Sequence, residues 1–146
     1  MPDAGRILWI DNDTQYLAPF RASLEDSGFE VTTVETLSKA TNLLTGGRYD
    51  LVILDVMIPT TAQDEAEGYS AEVSDFGFKT GLAFYKKNRD LMLRLGLPVM
   101  VMTVRIDQHI VDEFVAAGLP RECMFTKYSV RDPDVFLEKI DLIINR

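Results

Sequence analysis

Five short apolar runs alternate with five segments of helical periodicity, and this alternation is the strongest constraint the sequence places on its fold. Strands are expected at 6–10, 29–34, 50–55, 98–103 and 123–126. Four of these, Leu51-Val52-Ile53-Leu54 being the clearest, are rich in Val, Ile, Leu or Met without polar alternation. That is the pattern of parallel strands covered on both faces. The second, Phe29-Glu30-Val31-Thr32-Thr33-Val34, alternates and reads as an edge strand. Between the strands, apolar residues recur at three- and four-residue spacing: Leu17, Phe20 and Leu24; Leu37, Ala40 and Leu44; Phe84, Leu91 and Leu95; Ile110 and Phe114; Phe136, Ile140 and Ile143. Gly28, Gly46, Gly96 and Gly118 follow the first four helices, where a left-handed cap favours glycine. Asp132-Pro133 supplies an N-cap acid and a first-turn proline for the fifth. Pro19 fits less well: with Thr14 as the cap it falls near the fifth helical position, which predicts a bend or a lost hydrogen bond.

A strand–helix alternation of this kind requires right-handed crossovers and a parallel sheet. The expected architecture is α/β, a single doubly wound (βα)5 domain of flavodoxin-like type, with sheet order 2-1-3-4-5. Its switch point lies between the first and third strands, so Asp11 and Asp55 face each other across that crevice. At 146 residues the chain is long enough for one domain with its own core. A net charge of −8 and the lack of any basic stripe exclude a nucleic-acid-binding surface. Cys123 is the sole cysteine and precedes an apolar run, as suits a small buried residue. The N-terminal residues lack a signal-peptide pattern and no apolar run is long enough to span a bilayer, so the expected compartment is the cytoplasm, with no membrane partner.

The strand ends carry the chemistry. The first apolar run ends on Asp11-Asn12-Asp13, the third on Asp55, the fourth on Thr103 and the fifth on Lys127. In an open α/β sheet the carboxyl edge is where ligands bind. Acids, a hydroxyl and an amine on one rim can bind a divalent cation and a phosphoryl group. A hard cation held by carboxylates and a backbone carbonyl neutralises phosphoryl oxygens, and the amine and hydroxyl contact the remaining ones. Asp55 is the candidate nucleophile. Asp11, Asp55 and the Met57 carbonyl are the candidate metal donors, with Asn12 or Asp13 as a further one. The segment 60–80 breaks the rhythm. It is far longer than an ordinary strand-to-helix loop, holds the acids Asp64, Glu65, Glu67, Glu72 and Asp75 and the aromatics Tyr69, Phe76 and Phe78, and is expected to hang over this rim.

Over nearly its whole length the sequence resembles the receiver domain of two-component response regulators. Ile-Leu-Trp-Ile-Asp-Asn-Asp is similar to the family's first strand with its acidic pair. Tyr-Asp-Leu-Val-Ile-Leu-Asp-Val-Met-Ile-Pro is similar to the phosphoacceptor strand, Pro-Val-Met-Val-Met-Thr to the strand ending in the switch residue, and Met-Phe-Thr-Lys to the strand ending in the phosphate-contacting lysine. The resemblance implies that residues 1–146 form one receiver-like domain with an acidic loop inserted at 60–80. It implies that Asp55 accepts phosphate from a histidine kinase or histidine phosphotransfer protein, that Mg²⁺ assists, and that Thr103 and Lys127 contact the acyl phosphate. With no output domain after Arg146, the output would be contact with a downstream protein. Pairing through the fourth and fifth helices, a family habit, makes a homodimer a candidate assembly.

The departures from the family pattern carry expectations of their own. Asn12 stands where the second acid belongs and weakens Mg²⁺ binding. Val104 narrows access to the phosphoryl site, and Met124 replaces the aromatic switch residue. Tyr128 replaces the proline after the lysine, so a trans Lys127–Tyr128 bond is expected. Asn12, Val104 and the long insertion support an alternative, a degenerate receiver that acts as a phosphorylation-independent interaction module. A further alternative is a haloacid-dehalogenase-like phosphatase using Asp11 as nucleophile, although Asp132 and Asp134 sit at a helix start and suit its later acids poorly. Simpler roles are expected elsewhere: Trp9 in the core, His109 solvated in the first turn of the fourth helix, and Asp13 at the positive end of the first helix.

Overall fold

The computed structural model describes residues 5–70, 79–104 and 107–145. Five strands, β1 (Gly5–Ile10), β2 (Phe29–Val34), β3 (Leu51–Leu54), β4 (Val99–Thr103) and β5 (Met124–Thr126), form one sheet of order β2-β1-β3-β4-β5 with every pairing parallel. This is the expected topology, with β2 at one edge. The side chains of β3 and of Ile7–Ile10 in β1 are fully buried, which is why these strands carry no polar alternation.

Among the described residues six helices flank the sheet: α1 (Thr14–Asp26), α2 (Leu37–Gly46), α3 (Ala62–Ala66), α4 (Thr80–Arg94), α5 (Gln108–Ala116) and α6 (Pro133–Ile144). Trp9 packs on Phe136 of α6 at 5.3 Å between ring centroids, and Phe20 of α1 meets Phe136 edge-on at 5.2 Å. The rings of Tyr85 of α4 and Phe114 of α5 meet at a tilt of 52°, 5.7 Å between centroids. Trp9 is a core residue, as expected, and Cys123 is buried as the last residue of a short 3₁₀ turn, Arg121–Cys123. No helix among the described residues is long and apolar enough to cross a membrane.

Three local expectations are corrected. The N-cap of α1 is Asp13 rather than Thr14, because the Asp13 carboxylate accepts from the Tyr16 N–H. Pro19 therefore falls at the sixth helical position; α1 continues through it without the backbone hydrogen bond that proline cannot donate, the expected loss. Gly46 is not a left-handed cap: it is the last residue of α2, and the capping Gly47 is extended at φ −116°. Leu95 is not on the buried face of α4; it caps the helix end and is 53% exposed.

The described part of the insertion is anchored. Thr61–Ser70 is held against α2 and α4. Thr61 and Asp64 form a capping box that starts α3. Asp64 is fully buried, and its carboxylate reaches the N-terminus of α2. There it accepts hydrogen bonds from the Ser38 N–H at 2.9 Å and the Ser38 hydroxyl at 2.6 Å. The positive end of α2 favours that charge. Burial raises the Asp64 pKa, but the hydrogen bonds from Ser38 and Thr61 outweigh it and hold the carboxyl below its usual value. Tyr69 is buried, with its phenol oxygen accepting from Asn88 Nδ2 of α4 at 3.2 Å. Lys87 lies over the Tyr69 ring and donates to the Glu67 carbonyl at the end of α3. Glu72, Asp75, Phe76 and Phe78 lie outside the described residues.

Asp64→Ala strands the Ser38 and Thr61 donors and is expected to cost about 2–4 kcal/mol in urea unfolding at neutral pH. Because the folded carboxyl titrates low, its contribution is fully present above the usual carboxylate pKa and is lost as pH falls through the lowered folded value. A cost below about 0.5 kcal/mol at neutral pH would show that the insertion is not anchored there.

Candidate functional site

Sheet register brings the first two carboxylates together. Ile10 pairs with Leu54, so the next residue on each strand is an aspartate, Asp11 on one and Asp55 on the other. The Asp55 N–H donates to the Ile10 carbonyl at 3.0 Å, and the Asp11 N–H to the Val34 carbonyl at 3.0 Å. Both side chains are buried, Asp11 completely and Asp55 to 5% exposure. On the other side of β4, the Lys127 N–H donates to the Thr103 carbonyl at 2.8 Å. That bond sets the lysine one residue past β5 and beside the end of β4.

Lys127 closes the site. Its Nζ lies 2.8 Å from Asp11 Oδ2 and 3.6 Å from Asp55 Oδ2, and the lysine is itself only 4% exposed. Burial, then the Asp11 carboxylate, pushes the Asp55 carboxyl up to about 6, while the Lys127 ammonium and the Met57 N–H pull the other way. Met57 donates to Asp55 Oδ1 at 3.3 Å. With both acids ionised, the trio carries a net negative charge in a desolvated pocket.

Thr103 is fully buried, and its hydroxyl has no hydrogen-bond partner among the described residues. Asn12 is exposed. Asp13 is exposed as well and is occupied as the α1 cap, while its N–H donates to Asp11 Oδ1 at 2.9 Å. The role foreseen for Asp13 at the helix N-terminus is therefore the one it has. Val104 is 53% and Tyr128 74% exposed at the strand ends. No described peptide bond is cis, which includes Lys127–Tyr128 as expected. His109 is a solvated residue in the first turn of α5, 3.5 Å from Glu113. Asp132 and Asp134 are exposed at the start of α6, where Asp132 is the cap.

Two positions escaped the sequence reading. Tyr16 donates its hydroxyl to the Lys127 carbonyl at 3.0 Å, and its ring lies 4.8 Å from Lys127 Nζ. Burial, followed by the charges of Asp11 and Asp13, pushes its phenol up to about 12, so it remains a donor. Gly81, at the start of α4, donates to the Val56 carbonyl at 2.8 Å. A Cβ there would overlap the Asp55 carbonyl oxygen and come 2.8 Å from Val56 Cα, so only glycine lets α4 approach the back of the Asp55 segment. The signal for Gly81 was a glycine opening the helix after the insertion; for Tyr16 no local signal exists.

The donor set fits a hard divalent cation of the Mg²⁺ kind. Two adjoining buried carboxylates, one of them with its ionisation opposed by the other, hold excess negative charge that such a cation relieves, and Mg²⁺ is commonly bound by one or two carboxylates with several waters retained. No cluster of three or more His, Cys, Asp or Glu side chains suited to a metal occurs among the described residues.

Because ionisation of Asp55 is disfavoured in the fold, Asp55→Asn is expected to stabilise the protein at pH 7.5 by about 1–3 kcal/mol. The raised pKa fixes the sign: the wild-type deficit is full above pH 6, shrinks as pH falls through about 6, and is gone below the unfolded carboxylate value. Unfolding curves of both proteins from pH 4 to 8 measure it, and a pH-independent difference would contradict the assignment.

No protein-family model matches the chain. A 54-residue stretch is 39% identical to the alginate biosynthesis transcriptional regulatory protein AlgB of Pseudomonas putida, covering 37% of this chain and 12% of that protein. The match thus spans about an eighth of the curated relative's length. Among solved structures, the chain is similar to a response regulator receiver domain protein (CheY-like) from Methanospirillum hungatei, at 22% identity and a TM-score of 0.72 over 96% of this chain and 93% of the other. It is also similar to a two-component response regulator from Clostridium difficile, at 19% identity and a TM-score of 0.71 over 97% and 96% of the two chains. The chain has the fold of response regulator receiver domains.

Proposed function

We propose that this receiver fold serves as a phosphoacceptor in two-component signalling, with residues 1–146 acting as one unit and Asp55 taking a phosphoryl group from a phosphohistidine on a kinase or phosphotransfer protein in the cytoplasm. The observation that supports it best is the buried Lys127 ammonium within 2.8 Å of Asp11 and 3.6 Å of Asp55. An Asp55 carboxylate oxygen attacks phosphorus as the phosphorus–nitrogen bond breaks. The acyl phosphate remains on Asp55, and the imidazole leaves with the electron pair and is then protonated. The Lys127 ammonium offsets charge on the phosphoryl oxygens, and the Thr103 hydroxyl, free of other partners among the described residues, donates to another. Mg²⁺, held by Asp11, Asp55 and the Met57 carbonyl, would supply the remaining neutralisation. The product signals by contact with a downstream protein.

The degenerate-receiver reading draws on one observation: Asn12 is exposed and neutral, which leaves two acids to hold the cation. One experiment separates the readings. Incubation with Mg²⁺ and a small acyl-phosphate donor, followed by intact mass, is expected to show one added phosphoryl group that Asp55→Asn loses. No gain at saturating Mg²⁺ and donor would remove the phosphoacceptor reading and leave the interaction module. A gain retained in Asp55→Asn would place the chemistry elsewhere.

A further inference from the structure

We infer that Tyr16 is the positioning residue for Lys127, fixing the lysine at its backbone through the phenol hydroxyl and at its ammonium through the ring. Its functional consequence rests on the phosphoacceptor reading above.

A lysine side chain has a flexible four-carbon stem, and holding its ammonium at one point costs rotamer entropy unless its surroundings fix it. Here both ends are held. The Lys127 N–H is tied to the Thr103 carbonyl at 2.8 Å, and its carbonyl accepts from the Tyr16 hydroxyl at 3.0 Å. At the far end, Nζ lies 4.8 Å from the centroid of the same tyrosine ring, within the range of a cation–π contact. One side chain thus contacts both the backbone carbonyl and the ammonium of the lysine.

The contacts close into a circuit. Asp11 Oδ1 accepts from the Asp13 N–H at 2.9 Å, and Asp13 Oδ1 accepts from the Tyr16 N–H at 3.2 Å. The Tyr16 hydroxyl donates to the Lys127 carbonyl, and Lys127 Nζ returns to Asp11 Oδ2 at 2.8 Å. The ring is seated on the core: Tyr16 packs on Phe20 at 5.0 Å, and Phe20 packs edge-on against Phe136, which also contacts Trp9. Tyr16 therefore couples the rigid interior to the ammonium. It does so without any proline after Lys127, a position held by the exposed Tyr128. The ammonium stays nearer Asp11 than Asp55, which leaves the Asp55 oxygens less engaged.

Two variants of the full chain separate the two holds. Tyr16→Phe keeps the ring on Phe20 and deletes only the hydroxyl; Tyr16→Leu removes both. In lysine-labelled protein followed by NMR, the Lys127 Cε protons are expected to be shifted upfield by the ring in the wild type and in Tyr16→Phe, and to lose that shift in Tyr16→Leu. The Lys127 carbonyl carbon is expected to move already in Tyr16→Phe. With a small acyl-phosphate donor, the maximal rate of Asp55 phosphorylation is expected to fall about 3–10-fold in Tyr16→Phe and more than about 10-fold in Tyr16→Leu, with the half-saturating donor concentration unchanged, because misplacement of a charge-stabilising group acts on the chemical step. Identical Lys127 resonances in all three proteins, or wild-type phosphorylation of Tyr16→Leu, would overturn the inference. Should the wild type accept no phosphoryl group, the phosphoacceptor reading fails, and the NMR shifts alone decide whether Tyr16 fixes Lys127.

Discussion

The buried ion triad of Lys127 with Asp11 and Asp55 is the interaction on which the rest of the site depends. Two carboxylates at adjoining positions under low exposure repel each other, and the cost of desolvating each is several kcal/mol. The lysine makes the arrangement tolerable without neutralising it, since one positive charge faces two negative ones. The residual imbalance raises the Asp55 pKa and gives the pocket its affinity for further positive charge. The register of β1 on β3 imposes the adjacency of the two acids, and the hydrogen bond from Lys127 to Thr103 fixes the place of the lysine. Neither depends on the side chains themselves. The backbone creates the electrostatic problem, and the fifth strand supplies the relief.

The described part of the insertion is held by contacts outside this triad. Asp64 sits at the N-terminus of α2, and Tyr69 lies against Asn88 of α4. Past the insertion, Gly81 lets α4 return directly against the Asp55 backbone. The segment thus adds structure between α2 and α4 while both of its flanks stay in place beside the sheet.

The strand order and the four strand-end residues were legible because the apolar runs of β1, β3 and β4 are buried, that of β5 is half-buried, and each stops on a polar residue, a pattern with one periodicity and one break. Trp9, the Asp132-Pro133 start of α6 and the buried Cys123 were legible for the same local reasons. Asp64 was not. In composition it is one acid among Glu65 and Glu67; its capping box with Thr61 is local, but the contact that buries it, with Ser38, lies 26 residues away. Tyr16 was hidden in the same way, since its hydroxyl partner lies 111 residues further along the chain. Gly46 misled because a glycine near a helix end signals a left-handed cap, and the neighbouring Gly47 ends the helix in an extended conformation instead. Contacts between distant residues, and choices between adjacent identical ones, leave no periodic trace.

The most direct test of the triad is an NMR titration of the Asp55 carboxyl carbon in the metal-free protein. A midpoint near pH 6 is expected for the wild type, and a still higher one for Lys127→Met, because that variant removes the cation that favours the ionised form. A wild-type midpoint in the usual carboxylate range, or one that does not move in Lys127→Met, would contradict the account.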